Sequence, residues 1–492
     1  MPPSVRYDGR TARAGFDGHE GLDEVLEGGL IAGRSYLFRG PAGAGKTIFG
    51  LHFLQAGVDA GESTLFVNLE ESLDDLRADA ASLGVDVDAI DFLDLSPGAE
   101  VFTEDRSYEV FSAAEVEQEP LAEAVTDRVR EVEPDRVVLD PITQLHYLTS
   151  DDYQFRKQVV GIMRYLGGTG ATVAFTAQEI ADLPAEDLQF ISDGTVRLER
   201  RPTGRHISVP KFRGSGSRSG DHTFRITGEG VVVYPELDPT VHGRSLDPEG
   251  VPSGVPELDA LLNGGFERGT VNIVSGPTGV GKTTLGTQFM KEAAGRGDRS
   301  VIFLFEESER TFLQRSTAVN LPVERMIERG TLRVREVEAL DLSPQEFAAM
   351  VRHEVEVEGT DIVMIDGISG YRLTLRADEE SMVQRLHALG RYLKNMGVTT
   401  LLIDETADVV GDFHTTQENV NYLADSIVFL RHLELRGELR RAIGVLKKRT
   451  SDYERTLREF SITGHGVSVG DPLTNLRGIL SGTPEFVDAE ED

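Results

Sequence analysis

Two copies of the pattern G-x-x-x-x-G-K-[ST] stand 236 residues apart, as Gly40-Pro-Ala-Gly43-Ala44-Gly45-Lys46-Thr47 and as Gly276-Pro-Thr-Gly279-Val280-Gly281-Lys282-Thr283. The pattern dictates a fold as well as a ligand. Small residues let backbone N–H groups curl around phosphate, and the helix that follows presents the positive end of its dipole. The Lys reaches the terminal phosphates and the Thr hydroxyl ligates Mg2+. Such a loop works only between a strand and a helix. Apolar runs suited to that strand precede both copies, at Ser35-Tyr-Leu-Phe38 and Val271-Asn-Ile-Val-Ser275, and a helical pattern follows each. A Gly-rich turn with no ligand explains one copy more readily than two in the same context.

The duplication extends far beyond the loops. Gly21-Leu22-Asp23 before Gly28-Gly29 answers Glu257-Leu258-Asp259 before Gly264-Gly265; Glu70-Glu71-Ser72 answers Glu306-Glu307-Ser308; and Lys211-Phe212-Arg213 answers Lys447-Lys448-Arg449, all at the same offset of 236. Between the Glu pair and the next acidic strand end the register slips, because Arg136–Asp140 answers Ile362–Asp366 at 226. The first half is therefore expected to carry extra residues in the acidic stretch Gly98 to Pro120, and the second a compensating excess around Asp404 to Asn421. Insertions of this kind belong to surface loops or subunit contacts.

Each half alternates short β-rich runs with helical patterns. The runs are Thr64–Val67, Val137–Leu139 and Thr172–Phe175 in the first half, and Val301–Phe305, Ile362–Ile365 and Thr399–Ile403 in the second. Nearly continuous apolar strands separated by helices predict a parallel sheet covered on both faces. Hairpin-like runs, Thr223–Thr227 and Val231–Tyr234, close the first half. The expected organisation is an extension over 1–13, domains over 14–235 and 253–470, a Pro-rich linker over 236–252 and an acidic tail over 471–492.

The net charge of −33 makes nucleic acid an improbable partner, since phosphate neutralisation by Lys and Arg supplies most non-specific affinity. A salt-rich cytoplasm accounts for such a surface, because a Debye length of about 3 Å at 1 M salt suppresses its self-repulsion. With no Cys, disulfides and thiolate chemistry are excluded. The sequence holds no apolar run long enough to span a bilayer, and its first residues lack the apolar core of a signal peptide, so a cytoplasmic protein without membrane insertion is expected.

Hydrolysis of a nucleoside triphosphate requires held phosphates, a placed Mg2+, an aimed water and neutralised developing charge. Each requirement has a candidate in both halves. Asp140 and Asp366 end apolar strands, where a carboxylate supports Mg2+ beside the Thr47 or Thr283 hydroxyl. Glu70 and Glu71, with Glu306 and Glu307, follow the next strand at the carboxyl edge of the sheet, where they can orient or deprotonate water. Adjacent Glu residues are more often a solvated turn; recurrence in both halves favours chemistry. Lys211 with Arg213, and Lys447 with Arg449, put two cations on one face of a strand, and in a ring such a pair can reach a neighbour's γ-phosphate. Alternatively they guard a strand edge.

The Leu-Asp…Gly-Gly segment, the Glu-Glu-Ser after the second strand, the late Lys-x-Arg and stretches such as Arg436-Gly-Glu-Leu-Arg-Arg-Ala-Ile443 and Arg458-Glu-Phe-Ser-Ile-Thr463 together resemble the KaiC family of circadian clock ATPases and their archaeal relatives. The resemblance covers about residues 14 to 470. It implies two tandem RecA-like P-loop domains of α/β class, each a mostly parallel sheet flanked by helices with a C-terminal β-hairpin region, assembled as a two-tiered homohexamer. ATP and Mg2+ then sit at subunit interfaces, with Gly40, Gly43, Ala44, Gly45, Lys46 and Thr47, and Gly276, Gly279, Val280, Gly281, Lys282 and Thr283, around the phosphates. The Glu pairs activate the nucleophile and the Lys/Arg pairs sense the neighbour's γ-phosphate. One departure stands out. Where cyanobacterial relatives carry an adjacent Ser-Thr phosphate-acceptor pair, anchoring on Ala424-Asp425-Ser426-Ile427 places Asn421 and Tyr422. Thr415 and Thr416 are the remaining nearby hydroxyls for autokinase activity. The expected role is a signalling or regulatory ATPase with an unidentified protein partner. The competing readings are a DNA recombinase or helicase, and a scaffold gated by ATP with little turnover.

Overall fold

The computed structural model describes residues 13–14, 20–97, 118–147, 149, 151–179, 185–228, 230–244, 250–375, 379–406, 422–479 and 485–486. The expected insertion at Gly98–Pro120 lies mostly outside them, as do Thr415, Thr416, Asn421 and the acidic segment Asp488–Asp492. Two compact units divide the chain, Met1–Glu236 and Leu237–Asp492.

In the first unit nine strands form one sheet. They are β1 (Ser35–Gly40), β2 (Thr64–Asn68), β3 (Asp91–Asp94), β4 (Arg136–Asp140), β5 (Thr172–Gln178), β6 (Gly194–Arg201), β7 (Gly204–Phe212), β8 (His222–Thr227) and β9 (Gly230–Tyr234), in the order β9-β8-β7-β6-β1-β5-β4-β2-β3. Strands β1 to β6 pair in parallel, and β7 to β9 extend the sheet as antiparallel hairpins. All five residues of β2 and of β4 are buried, as befits strands covered on both faces. Their side chains alternate between two cores. Phe66 and Val138 point into a cluster with Phe38, Phe49 and Phe53, whereas Leu65, Val67, Val137 and Leu139 join Phe155, Val159 and Leu166 on the other face.

The second unit repeats the plan with β10 (Val271–Gly276), β11 (Ser300–Leu304), β12 (Leu332–Glu336), β13 (Ile362–Asp366), β14 (Thr399–Glu405), β15 (Ser426–Leu435), β16 (Glu438–Lys448), β17 (Arg458–Thr463) and β18 (Gly466–Pro472), ordered β12-β11-β13-β14-β10-β15-β16-β17-β18. Ile302 and Met364 enter one core and Val301, Phe303, Val363 and Ile365 the other. The expected tandem α/β fold with late hairpins is therefore present in both halves. In each, the phosphate-loop strand is central, and the strand-ending acid lies two strands away at the same carboxyl edge, where open α/β sheets bind ligands.

Candidate nucleotide-binding sites

Both loops begin their helices, Lys46–Asp59 and Lys282–Gly295, from a glycine in left-handed geometry, Gly45 at φ 107° and Gly281 at φ 109°. Close packing adds to the backbone requirement. A Cβ on Gly45 would lie 3.0 Å from Ile226 Cδ1, and one on Gly281 only 2.3 Å from Ile462 Cδ1. Ala44 and Val280 are fully buried and anchor each loop to the core. Lys46 Nζ donates to the carbonyls of Gly40 at 3.1 Å and Pro41 at 2.9 Å. Lys282 repeats this on Gly276 at 2.9 Å and Pro277 at 3.0 Å. Burial lowers the pKa of both ammonium groups, and the surrounding carboxylates oppose it.

Asp140 is 7% exposed. Burial pushes its carboxyl up, and hydrogen bonds from Thr176 and Thr47 oppose that shift. Asp366 is pushed to about 6 by burial, with a bond from Thr283 acting against it. Each loop threonine thus lies beside the strand-ending aspartate of its own half. Among the described residues no group of three or more His, Asp or Glu could cage a metal. A hydroxyl with one carboxylate nevertheless suits Mg2+, which keeps waters and substrate phosphates in its octahedral shell.

The first site is a cleft of ≈ 490 Å³. Its lining combines polar groups, among them Lys46, Thr47, Glu70, Glu71 and Asp140, with the apolar Ile48, Leu51, Leu76, Leu83 and Ile226, a mixture that suits a nucleotide. Burial raises the Glu71 pKa first, then Asp140 and Asp79. Glu306 is raised by burial and by Glu405 and Asp366, whereas the rise that burial gives Glu307 is opposed by Arg315.

The Lys/Arg pairs are placed elsewhere. Lys211 pairs with Thr195, and Thr195 with Leu37, two strands across from β1 and three residues, about 10 Å, back from Gly40. Its ammonium donates to the Gln189 and Ser192 carbonyls. Lys447 sits likewise against Ile427, which pairs with Ile273. Neither Lys211 nor Arg213 lines the cleft of its own unit. Between Lys447 and Arg449, Lys448 turns inward to the Leu262 and Gly265 carbonyls and to Glu267. Tyr422, at the departure from the resemblance, is 48% exposed beside His387.

Several site residues carried no sequence signal. Gln178 and Glu405 end the strands beside the two loops, where they pair with Gly40 and Gly276. Arg205 Nη1 donates to the Gly43 carbonyl at 2.7 Å from a hairpin more than 150 residues away. Asp79 joins the cleft from the helix after Glu71. Arg205 recurs as Arg441 at the offset of 236, whereas Asp79 and Gln178 are answered by residues of another type, Arg315 and Glu405.

Comparison with known proteins agrees with this geometry. A model of the KaiC ATPase matches the chain twice, over residues 17–238 and 251–474. The circadian clock protein KaiC3 of Synechocystis sp. is 30% identical over 495 residues, covering 96% of this chain and 95% of that protein. The circadian clock oscillator proteins KaiC of Parasynechococcus marenigrum and Synechococcus elongatus are each 28% identical, over 96% of this chain and 93% and 92% of theirs. With two matched domains in two repeated folds, the chain belongs to the KaiC ATPase family.

Proposed function

We propose that both halves bind ATP with Mg2+ and hydrolyse it, in a cytoplasmic regulatory protein that works as a two-tiered homohexamer with a protein partner. The observation that carries this reading is the loop threonine beside the strand-ending aspartate in each half, Thr47 by Asp140 and Thr283 by Asp366, with a Glu pair nearby. Mg2+ held there would neutralise charge on the phosphates. Lys46 and Lys282 bind the phosphate oxygens by leaving the loop carbonyls they now hold. Glu70 and Glu71, or Glu306 and Glu307, take a proton from water as its oxygen bonds the γ-phosphorus; the bond to the bridging oxygen breaks, giving ADP and phosphate.

The Lys211/Arg213 and Lys447/Arg449 pairs stand back from their own loops, a placement that supports action on a neighbouring subunit. The reading stops at hydrolysis, because Asn421 and Tyr422 offer no Ser or Thr hydroxyl at the acceptor positions. The test is ATP turnover in high salt for Glu70→Gln/Glu71→Gln and Glu306→Gln/Glu307→Gln, with oligomer mass measured with and without ATP and Mg2+. Each pair should lower its domain's hydrolysis at least tenfold, about 1.4 kcal/mol of barrier. Full turnover in both double variants refutes the catalytic assignment, and a monomer under all conditions refutes the ring.

A further inference from the structure

The two sites differ most at one mirrored position. In both halves the Glu pair leads into a helix, Leu73–Ser82 or Glu309–Ala318, capped by a serine: Ser72 Oγ accepts from the Asp75 N–H at 3.2 Å, and Ser308 Oγ from the Thr311 N–H at 3.3 Å. Eight residues past the second Glu, two turns along, the first helix carries Asp79 and the second Arg315. Arg315 Nη2 donates to Glu307 Oε1 at 2.5 Å. Asp79 in the same place lines the cleft and repels Glu71.

A second mirrored pair changes with it. Gln178, beside the first loop, is replaced by Glu405 beside the second, where it acts on both Lys282 and Glu306. Around Glu307 the charged neighbours are thus Arg315, Glu306 and Asp366, and only Arg315 is bonded to it. A carboxylate in a short charge-assisted bond is a weaker proton acceptor and is less free to turn toward a water.

We propose that Arg315 is a positioning residue that clamps Glu307, leaving Glu306 to activate water alone in the second site, while both Glu70 and Glu71 are available in the first. This rests on the reading of the Glu pairs as water-activating groups. The clamp makes the two halves unequal catalysts within one duplicated fold, and it does so through the polar face of one helix.

The experiment isolates the second site in the full chain with Glu70→Gln/Glu71→Gln and measures kcat and KM for ATP. In that background Arg315→Gln should raise kcat at least threefold with KM held within twofold, Arg315→Lys should keep the slow rate, and adding Glu307→Gln should remove the gain. A loss of packing alone would lower kcat or raise KM. The reciprocal variant, Asp79→Arg beside an intact Glu71 in a Glu306→Gln/Glu307→Gln chain, should lower kcat of the first site at least threefold. An unchanged or reduced kcat in Arg315→Gln, or a gain that survives Glu307→Gln, overturns the clamp. If a chain with all four Glu→Gln changes hydrolyses ATP at the wild-type rate, the Glu assignment itself has failed and the clamp falls with it.

Discussion

Replacing Asp366 by Asn should stabilise the second unit in the absence of metal and nucleotide, while ending its service to Mg2+. Burial holds this carboxyl at about 6, against an ordinary 3.8. A raised carboxyl favours the folded state only while protonated; that advantage is complete below the unfolded pKa and lost as pH rises through about 6. Above that point the ionised group costs about 3 kcal/mol at 1.36 kcal/mol per unit. Asp366 is partly exposed, so water softens the penalty and about 2 kcal/mol is expected. For a unit of this size that raises the melting temperature by about 4–8 °C. The assay is calorimetry of Asp366→Asn and wild type in EDTA at pH 8 and pH 4, following the transition of the second unit. At pH 4 the gain should shrink to about 0.5 kcal/mol, because wild-type Asp366 is then protonated in the folded state. Adding Mg2+ and ATP at pH 8 should raise the wild type past the variant, through ligand binding to the folded state. Equal melting at pH 8, or the same gain at both pH values, would refute a carboxylate whose burial outweighs the groups that favour its ionised form.

Gly281→Ala should lose binding of a fluorescent ATP analogue at the second site while Gly297→Ala, at a positive φ of 92° with open space around it, keeps it, because only the former drives a methyl into Ile462. Lys211→Ala should lower first-site turnover about tenfold or more in the assembled protein, by the logic of a cation supplied in trans; mixing it with Glu70→Gln/Glu71→Gln subunits should restore part of the activity. A chain at −33 should gain about 10 °C or more in melting temperature between 0.1 and 1 M KCl as the Debye length falls from about 10 to 3 Å, and a flat response would remove the salt-adaptation reading. Single-stranded DNA should produce no gel shift in that range of salt; a shift would revive the recombinase alternative.

The parts of this molecule legible in the sequence are those set by local rules. Phosphate loops, their strands and the Glu-Glu-Ser turns depend on residues within a few positions of one another, so Gly45, Lys46, Asp140 and Glu71 announce themselves. Gln178, Arg205 and Ile226 do not, because β5, β7 and β8 bring them to the loop from more than 130 residues away, and their types are ordinary for strand ends and hairpins. The Lys-x-Arg pairs show the opposite case. Their repetition was plain, but only the antiparallel register of β7 and β16 reveals that each stands away from its own loop.

Duplication preserves what the backbone geometry requires and frees what merely adjusts charge. The glycines at φ near 107° and the Thr–Asp pairs recur in both halves, the glycines because a side chain there strains the loop. Asp79 against Arg315, Gln178 against Glu405 and Phe212 against Lys448 occupy equivalent places with unlike chemistry, and Arg315, Phe212 and Lys448 each have a local partner. Phe212 stacks on Tyr36 at 5.8 Å, whereas Lys448 satisfies its ammonium on two carbonyls and Glu267. All three substitutions leave the sheet intact, and the first two change the charge around the Glu pair and the phosphate loop. If both halves hydrolyse ATP as proposed, one duplicated fold can hold two turnover rates, set by side chains that no phosphate-loop motif includes.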